Sequence, residues 1–221
     1  MIKTVIFDMD GLMFDTERLS NEAFYAIADK LGIVVKQEML DKMKGSNKKS
    51  VFEIMRSYFG EDADLDHILS VRQEYIDRHM EENGVPVKAG LKELLSFLKT
   101  HHYNVVLATS TGREKAMKLL KMADVKKYFD HMIFGDAVEN SKPDPEIFLK
   151  AAKKSYTDPE NCLVLEDSLN GVEAAHRAGM HVIMIPDTIA PNDHMKEITD
   201  DIVESLEDIL NWMKSTEKRA V

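Results

Sequence analysis

Runs of apolar residues divide the chain into two regions with different patterns. A short run from Ile2 to Phe7 opens the sequence and has the β-branched composition of a buried strand. From Thr16 to Asn83 apolar residues recur instead at intervals of three and four, as in Phe24, Ile27 and Leu31, which predicts amphipathic helices. Glycines interrupt this helical segment, so we expect a bundle of about four helices there and no strand.

After Pro86 the pattern changes to an alternation of predicted helices and strands. The short apolar runs that predict strands are Asn104–Thr109, Met132–Phe134, Cys162–Leu165 and Val182–Ile185. Such an alternation is typical of βαβ units and therefore of a parallel sheet. We expect the opening strand to join this sheet. Residues 1–15 and 84–221 would then form an α/β core with helices on both faces, and the helical segment 16–83 would be inserted after the first strand.

Composition and charge restrict the class of partners. The 221 residues are 44% hydrophobic and carry a formal net charge of −10. This charge argues against nucleic acid, whose binding depends on basic groups that neutralise phosphates. No window approaches the roughly 18 consecutive apolar residues that span a bilayer, and the first residues lack the regions of a signal peptide. With one cysteine, Cys162, no internal disulfide can form. We therefore expect a cytoplasmic protein that binds neither nucleic acid nor membrane. Because no exposed apolar stripe stands out in the sequence, we expect a monomer.

Oxygen-bearing side chains follow the predicted strands of the core. In a parallel sheet the carboxyl ends of all strands meet at one edge, where ligands bind. The residues at these ends are Asp8 and Asp10, then Thr109 and Ser110, then Asp136, and finally Glu166 and Asp167. Lys142 lies in a proline-rich turn that could hold its ammonium group at the same edge. Acids, hydroxyls and a lysine gathered in this way would suit a phosphate together with a divalent cation.

The two aspartates after the first strand suit phosphoryl transfer. A carboxylate can attack phosphorus and form an aspartyl-phosphate, so Asp8 is the predicted nucleophile. Asp10 is predicted to protonate the leaving oxygen and then to deprotonate water. Because a dianionic ester repels a carboxylate, a divalent cation must bridge the two groups. The predicted metal ligands are Asp8, Asp10, Asp167 and Glu166, the last either directly or through a water.

The other residues of this edge are predicted to bind the phosphate. Gly11 would let backbone N–H groups approach it closely. Thr109 would donate its hydroxyl, and Ser110 its backbone N–H at a helix N-terminus. Lys142 would offset the negative charge of both the nucleophile and the phosphate.

These segments resemble the haloacid dehalogenase superfamily. Asp8-x-Asp10-Gly11-x-x-x-Asp15-Thr16, the strand that ends in Thr109, Lys142-Pro143-Asp144-Pro145 and Glu166-Asp167-Ser168 occur in the order of its four motifs. The helical insertion is similar to the small α-helical cap of the β-phosphoglucomutase-like group. The resemblance implies a Rossmann-like core, Mg²⁺ as cofactor and a cap that closes over a small phosphorylated metabolite. Dehalogenases of the superfamily lack the aspartate at the position of Asp10.

Two residues of the helical segment are further candidates for substrate binding. Gly45 and Lys48 belong to a glycine-containing loop that enters a helix, and such a loop could bind the far end of an anionic substrate. Lysines at a helix start are equally consistent with a solvated face. In the mutases that the chain resembles, a basic residue at about Lys48 contacts a second phosphate, and the cap loop would place Gly45 near the active site.

The expected activity is magnesium-dependent hydrolysis of a small phosphorylated metabolite, and a sugar phosphate is the expected substrate. The alternative is a β-phosphoglucomutase-type mutase. Mutases of this type carry a histidine where this chain has Ser20 and an arginine where it has Lys48, and lysine does not reproduce bidentate binding by arginine. Simple hydrolysis needs neither residue. A catalytically silent binding protein on the same fold is the third hypothesis.

Overall fold

The protein is described by a computed structural model that covers residues 1–43 and 48–219, without the side chains of residues 48, 49 and 216–219. The chain divides into two compact units. The core unit comprises Met1–Asp15 and Val87–Val221, and the helical unit comprises Thr16–Pro86. Within the described ranges, none of the helices has the length and apolar character needed to cross a membrane.

Four helices form the described part of the helical unit: α1 (Thr16–Leu31), α2 (Gln37–Met43), α3 (Lys48–Phe59) and α4 (Leu65–Asn83). The apolar positions that predict these helices face a small core of their own, which includes Phe24, Met39, Met55 and Ile68. Asp64 caps the start of α4 by accepting a hydrogen bond from the backbone N–H of His67 at 3.0 Å.

Six parallel strands form the sheet of the core unit: β1 (Thr4–Phe7), β2 (Asn104–Ala108), β3 (His131–Ile133), β4 (Cys162–Glu166), β5 (His181–Met184) and β6 (Asp201–Ile202). Their order is β3-β2-β1-β4-β5-β6. The strand order therefore reverses between β1 and β4, the point at which a doubly wound sheet opens a crevice for ligands.

Among the described residues, six α-helices accompany this sheet: α5 (Leu91–Thr100), α6 (Arg113–Met122), α7 (Glu146–Lys154), α8 (Leu169–Arg177), α9 (Asp193–Ile198) and α10 (Leu206–Arg219). On one face, Ile6 and Val164 of the sheet share a cluster with Phe148 of α7 and Ala174 of α8. The alternate residue Phe7 points to the opposite face and is also fully buried. On that face α5 packs against β2, and α10 packs against α5.

The predicted α/β class is confirmed, with a parallel sheet, helices on both faces and an inserted helical unit. The sequence pattern did not reveal β6. This strand has only two residues, Asp201 and Ile202, and with Val203 its apolar run is two residues long. It therefore carries none of the apolar periodicity from which strands are predicted.

Candidate active site

Register within the sheet brings the predicted acids together. Phe7 is the parallel partner of both Leu107 and Leu165, so Asp8 leaves β1 between the ends of β2 and β4. The backbone N–H of Asp8 donates to the carbonyl of Leu165 at 3.1 Å. Asp8 is 7% exposed and Glu166 is fully buried. Two carboxyl groups are therefore removed from water at the switch point of the sheet, which is unfavourable unless they are paired.

The ammonium group of Lys142 lies between these two acids. Its Nζ donates to Asp8 Oδ1 at 2.5 Å and to Glu166 Oε1 at 2.6 Å, and the ring centroid of Phe148 is 4.9 Å away. Only 6% of the lysine side chain is exposed. Burial acts against its charge, but the carboxylates of Asp8 and Glu166 outweigh burial and raise the pKa of Lys142 above its ordinary value. The lysine is therefore held in its charged form.

A carboxylate of the following helix fixes the turn that carries Lys142. Glu146 accepts the backbone N–H groups of Glu139 and Asn140 at 3.0 and 2.9 Å and the ammonium group of Lys150 at 2.5 Å. Hydrogen bonding from Lys150 and from these backbone groups lowers the pKa of Glu146 to about 2. The turn thus remains tied to the start of α7 at neutral pH.

Glu166 connects Lys142 to the start of α8. Its second oxygen, Oε2, accepts the backbone N–H of Ser168 at 2.8 Å and the Ser168 hydroxyl at 2.9 Å. A Cβ atom on Gly171 would overlap the Glu166 carboxylate, so glycine is required there for this close approach. Both oxygens of Glu166 are thus bonded to donors of the protein.

Asp167 differs from Glu166, because its oxygen Oδ1 is buried without a hydrogen-bond partner. Burial, then the charges of Glu166 and Asp8, raise the pKa of Asp167 to about 9. Burial also raises the pKa of Asp8 to about 7, although Lys142 acts in the opposite direction. Gly11 permits this arrangement, since its φ is +88° and a Cβ atom there would overlap the Asp167 carboxylate.

This part of the site is short of positive charge. Among the described residues, no group of three or more histidine, cysteine and carboxylate side chains stands in a ready arrangement for a metal ion. Glu166 is turned towards Lys142 and Ser168. Asp8 and Asp167 remain as the acids whose pKa values are raised, chiefly by burial. An oxygen-preferring divalent cation fits this donor set, because the unpartnered oxygen of Asp167 lacks what such an ion supplies.

Asp10 is held by a residue that the sequence analysis did not single out. Thr111 donates its hydroxyl to Asp10 Oδ2 at 2.7 Å. The backbone N–H of Thr111 donates in turn to the hydroxyl oxygen of Thr109 at 3.0 Å. Thr109 is buried and Ser110 is exposed. The segment Thr109–Thr111 therefore contributes both predicted phosphate donors and a partner for Asp10.

A second residue pair of this edge also escaped the sequence analysis. Asp187 follows β5, and its Oδ1 accepts a hydrogen bond from Lys88 Nζ at 2.5 Å. The same ammonium group is 3.7 Å from Asp15 Oδ1. Asp187 could have been found by extending the search for strand ends to the fifth strand.

The predicted residues of the helical unit cannot be placed in the same way. Gly45 lies outside the described residues, and so does the side chain of Lys48, whose backbone begins α3. Within this unit Ser20 accepts a hydrogen bond from Arg72 Nη2 at 2.7 Å, while Arg72 Nε is buried without a partner.

Comparisons with known proteins agree on one family. Residues 5–185 match the haloacid dehalogenase-like hydrolases. A phosphorylated carbohydrates phosphatase of Thermotoga maritima is 36% identical over 182 residues, which cover 82% of this chain and 84% of that protein. Hexitol phosphatase B of Escherichia coli is 29% identical, with 94% of each chain covered. A crystal structure described as a candidate β-phosphoglucomutase from Thermotoga maritima superposes with a TM-score of 0.83 at 33% identity, covering 97% of this chain and 99% of that one.

Proposed function

Because this chain belongs to the haloacid dehalogenase-like hydrolases, we propose that it is a magnesium-dependent phosphatase of a small phosphorylated carbohydrate and that Asp8 is its nucleophile. The observation that carries this proposal is the position of Asp8, buried at the end of β1 and bonded to the Lys142 ammonium group. The similar proteins include a phosphorylated carbohydrates phosphatase and hexitol phosphatase B, which supports a substrate of this class.

The first step transfers the phosphoryl group to the protein. A carboxylate oxygen of Asp8 forms a bond to phosphorus as the bond between phosphorus and the ester oxygen breaks. Asp10 gives its proton to the departing oxygen, so the sugar leaves as an alcohol. Thr111 supports this role, because its hydroxyl fixes the orientation of the Asp10 carboxyl group.

The second step regenerates Asp8. Asp10, now a carboxylate, takes a proton from water, whose oxygen attacks phosphorus. The bond between phosphorus and Asp8 breaks, and inorganic phosphate is released. Asp10 ends the cycle protonated, so both residues return to the state in which they began.

Asp8 and Asp167 would hold the Mg²⁺ ion. The sequence-based prediction adds Asp10 and Glu166 to these ligands. When bound, the ion neutralises charge on the phosphate and on its attacking carboxylate. The buried, unpartnered oxygen of Asp167 supports its assignment as a ligand. Glu166 also keeps Lys142 in place, because the two side chains are 2.6 Å apart.

The remaining phosphate oxygens would be bound from the end of β2. The Thr109 hydroxyl accepts the N–H of Thr111 and therefore keeps its own proton for donation to a phosphate oxygen. Ser110 is exposed at this edge and offers its backbone N–H. The charge of Lys142 stabilises the negative charge that develops during transfer.

The residues of the helical unit favour hydrolysis over mutase activity. The position that carries histidine in the mutases holds Ser20, which is bonded to Arg72 and has no basic nitrogen. It cannot supply the acid–base chemistry of an imidazole. We therefore place the mutase second.

A phosphate-release assay tests the proposal. Purified protein with Mg²⁺ is assayed with p-nitrophenyl phosphate and with a panel of hexose and hexitol phosphates. Hydrolysis should be lost in EDTA and in Asp8→Asn, and should persist in Asp193→Asn, which makes the same change at a side chain that is 95% exposed. Activity that survives in Asp8→Asn would contradict the mechanism. Interconversion of β-glucose 1-phosphate and glucose 6-phosphate, primed by the bisphosphate, would favour the mutase instead.

A further inference from the structure

The end of β5 carries a buried carboxylate to which the proposed mechanism gives no role. In the sheet Glu166 is the partner of Met184, and the backbone N–H of Ile185 donates to the Glu166 carbonyl at 2.7 Å. The chain that leaves β5 therefore runs beside the chain that leaves β4. Asp187 follows two residues after Ile185, and Asp167 follows directly after Glu166.

The carboxylate of Asp187 is only half satisfied by the protein. Its side chain is 10% exposed, and Oδ1 is bonded to Lys88 Nζ at 2.5 Å. Its other oxygen, Oδ2, is buried without a hydrogen-bond partner. A buried acceptor in this state is costly, and such groups usually have a partner such as a water or an ion.

Asp167 has an oxygen in the same condition. The two carboxylates are also close enough for their negative charges to interact unfavourably. Each of these two carboxylates has one buried oxygen that accepts no hydrogen bond from the protein, and a bound cation with its waters would offer both donors and positive charge. Hydrated Mg²⁺ supplies both, since it keeps several of its waters when proteins bind it.

We propose that Asp187 is a positioning residue of the divalent-cation site, in which its Oδ2 accepts a hydrogen bond from the hydration shell of a Mg²⁺ ion held by Asp167. The inference rests on the proposed function, because it takes Asp167 as a metal ligand. Lys88 has a separate role in this arrangement. Its ammonium group pairs with the other oxygen, Oδ1, and partly offsets the negative charge that attracts the cation.

A purely structural role for Asp187 makes a different prediction. Lys88 lies where two segments of the core unit meet, since its backbone N–H donates to the Met13 carbonyl at 2.9 Å and Val87 forms a bridge with Phe14. Asp187 could serve only to anchor the Lys88 side chain. In that case the removal of Lys88 and the removal of Asp187 should change the affinity for Mg²⁺ equally, because each change breaks the same ion pair.

Mg²⁺ binding to Asp187→Asn and Lys88→Met distinguishes the two roles. The dissociation constant for Mg²⁺ is measured by calorimetry on metal-free protein without substrate, and folding is checked by circular dichroism in EDTA. We expect Asp187→Asn to weaken Mg²⁺ binding by roughly 10–100-fold, the range found when residues that support a metal site through hydrogen bonds are changed. Lys88→Met should not weaken binding, because it leaves the carboxylate and removes an opposing positive charge. Asp193→Asn, whose side chain is 95% exposed, is the control with the same change in net charge.

Each outcome decides the inference. Weaker binding in Asp187→Asn together with unchanged or tighter binding in Lys88→Met supports it. Equal effects in the two variants, or an unchanged dissociation constant in Asp187→Asn, overturn it and leave the proposed function intact. If the unaltered protein binds no Mg²⁺, the proposed function fails as well. If Asp187→Asn does not fold, the double variant Lys88→Met/Asp187→Asn, which leaves no unpaired lysine, must show the same loss of affinity.

Discussion

Replacement of Lys142 by methionine would remove the charge that joins the two buried acids of the site. Lys142 Nζ bonds Asp8 at 2.5 Å and Glu166 at 2.6 Å, and 6% of the lysine side chain is exposed. Methionine keeps an unbranched apolar chain that can pack against Phe148. The two carboxylates would lose their counter-charge where water cannot replace it.

The structure sets the expected size of this effect. Removal of one partner of a buried ion pair costs about 3–5 kcal/mol, because the remaining charge is left uncompensated. For a protein of this length, each kcal/mol lowers Tm by roughly 2–4 °C. Lys142→Met should therefore lose roughly 6–20 °C in Tm if it retains the fold.

The loss of Tm in Lys142→Met should depend on pH. Burial already raises the pKa of Asp8 from 3.8 to about 7, and Lys142 is the main influence that lowers it. A carboxyl group whose pKa is raised on folding favours the folded state below its unfolded value, and that stabilisation is lost as the pH rises through its folded value. The variant should therefore differ least from the unaltered protein near pH 4 and most above about pH 7.

Differential scanning calorimetry in EDTA across this pH range measures both effects. Lys127→Met is the matched control, because Lys127 pairs with Asp124 at the surface, where the two side chains are 58% and 75% exposed. Exposed pairs contribute little, so the control should keep a Tm close to that of the unaltered protein. A Tm for Lys142→Met equal to that of the control, or a Tm loss that does not change with pH, would refute the electrostatic reasoning.

Three further predictions concern the metal, Gly11 and Thr111. The increase in Tm caused by Mg²⁺ should grow as the pH rises through about 7 and then about 9, because Asp8 and Asp167 must lose their protons to bind the ion. An increase in Tm that does not change with pH would contradict this prediction. Gly11→Ala should weaken Mg²⁺ binding in calorimetry, because its Cβ would displace the Asp167 carboxylate. Gly60→Ala, at a φ of +97° with open space around it, should be strained but should bind Mg²⁺ normally, and equal affinities in the two variants would contradict the reasoning. Thr111→Val removes the 2.7 Å hydrogen bond to Asp10 and should lower kcat for p-nitrophenyl phosphate by roughly 10–100-fold, whereas an unchanged kcat would remove Thr111 from the site.

The parts of the site that the sequence could predict are those fixed by local pattern and sheet topology. The apolar run before Asp8 identifies a buried strand, and parallel strands end at one edge, so Asp8, Thr109 and Glu166 had to be close together. Lys142 was also predicted at this edge, although its pairing with both acids depends on how Glu146 holds the turn.

Contacts between loops carry no such pattern. Thr111 and Asp10 are 101 positions apart, and Lys88 and Asp187 are 99 apart. Their meeting depends on where each chain segment turns after its strand, which neither hydrophobic spacing nor composition records. The different roles of Glu166 and Asp167 could not be predicted for a related reason. Adjacent acids look alike in a sequence, and only the structure shows that Ser168 bonds one of them.

Trapping of the phosphorylated protein tests the central claim most directly. Labelled substrate is mixed with the enzyme and quenched in acid within a single turnover, and the acyl-phosphate is then reduced with borohydride and mapped by mass spectrometry. We predict that the modified residue is Asp8 and that the labelled species forms and decays at rates that account for phosphate release. Turnover without any labelled protein, or a label on a residue other than Asp8, would contradict the account.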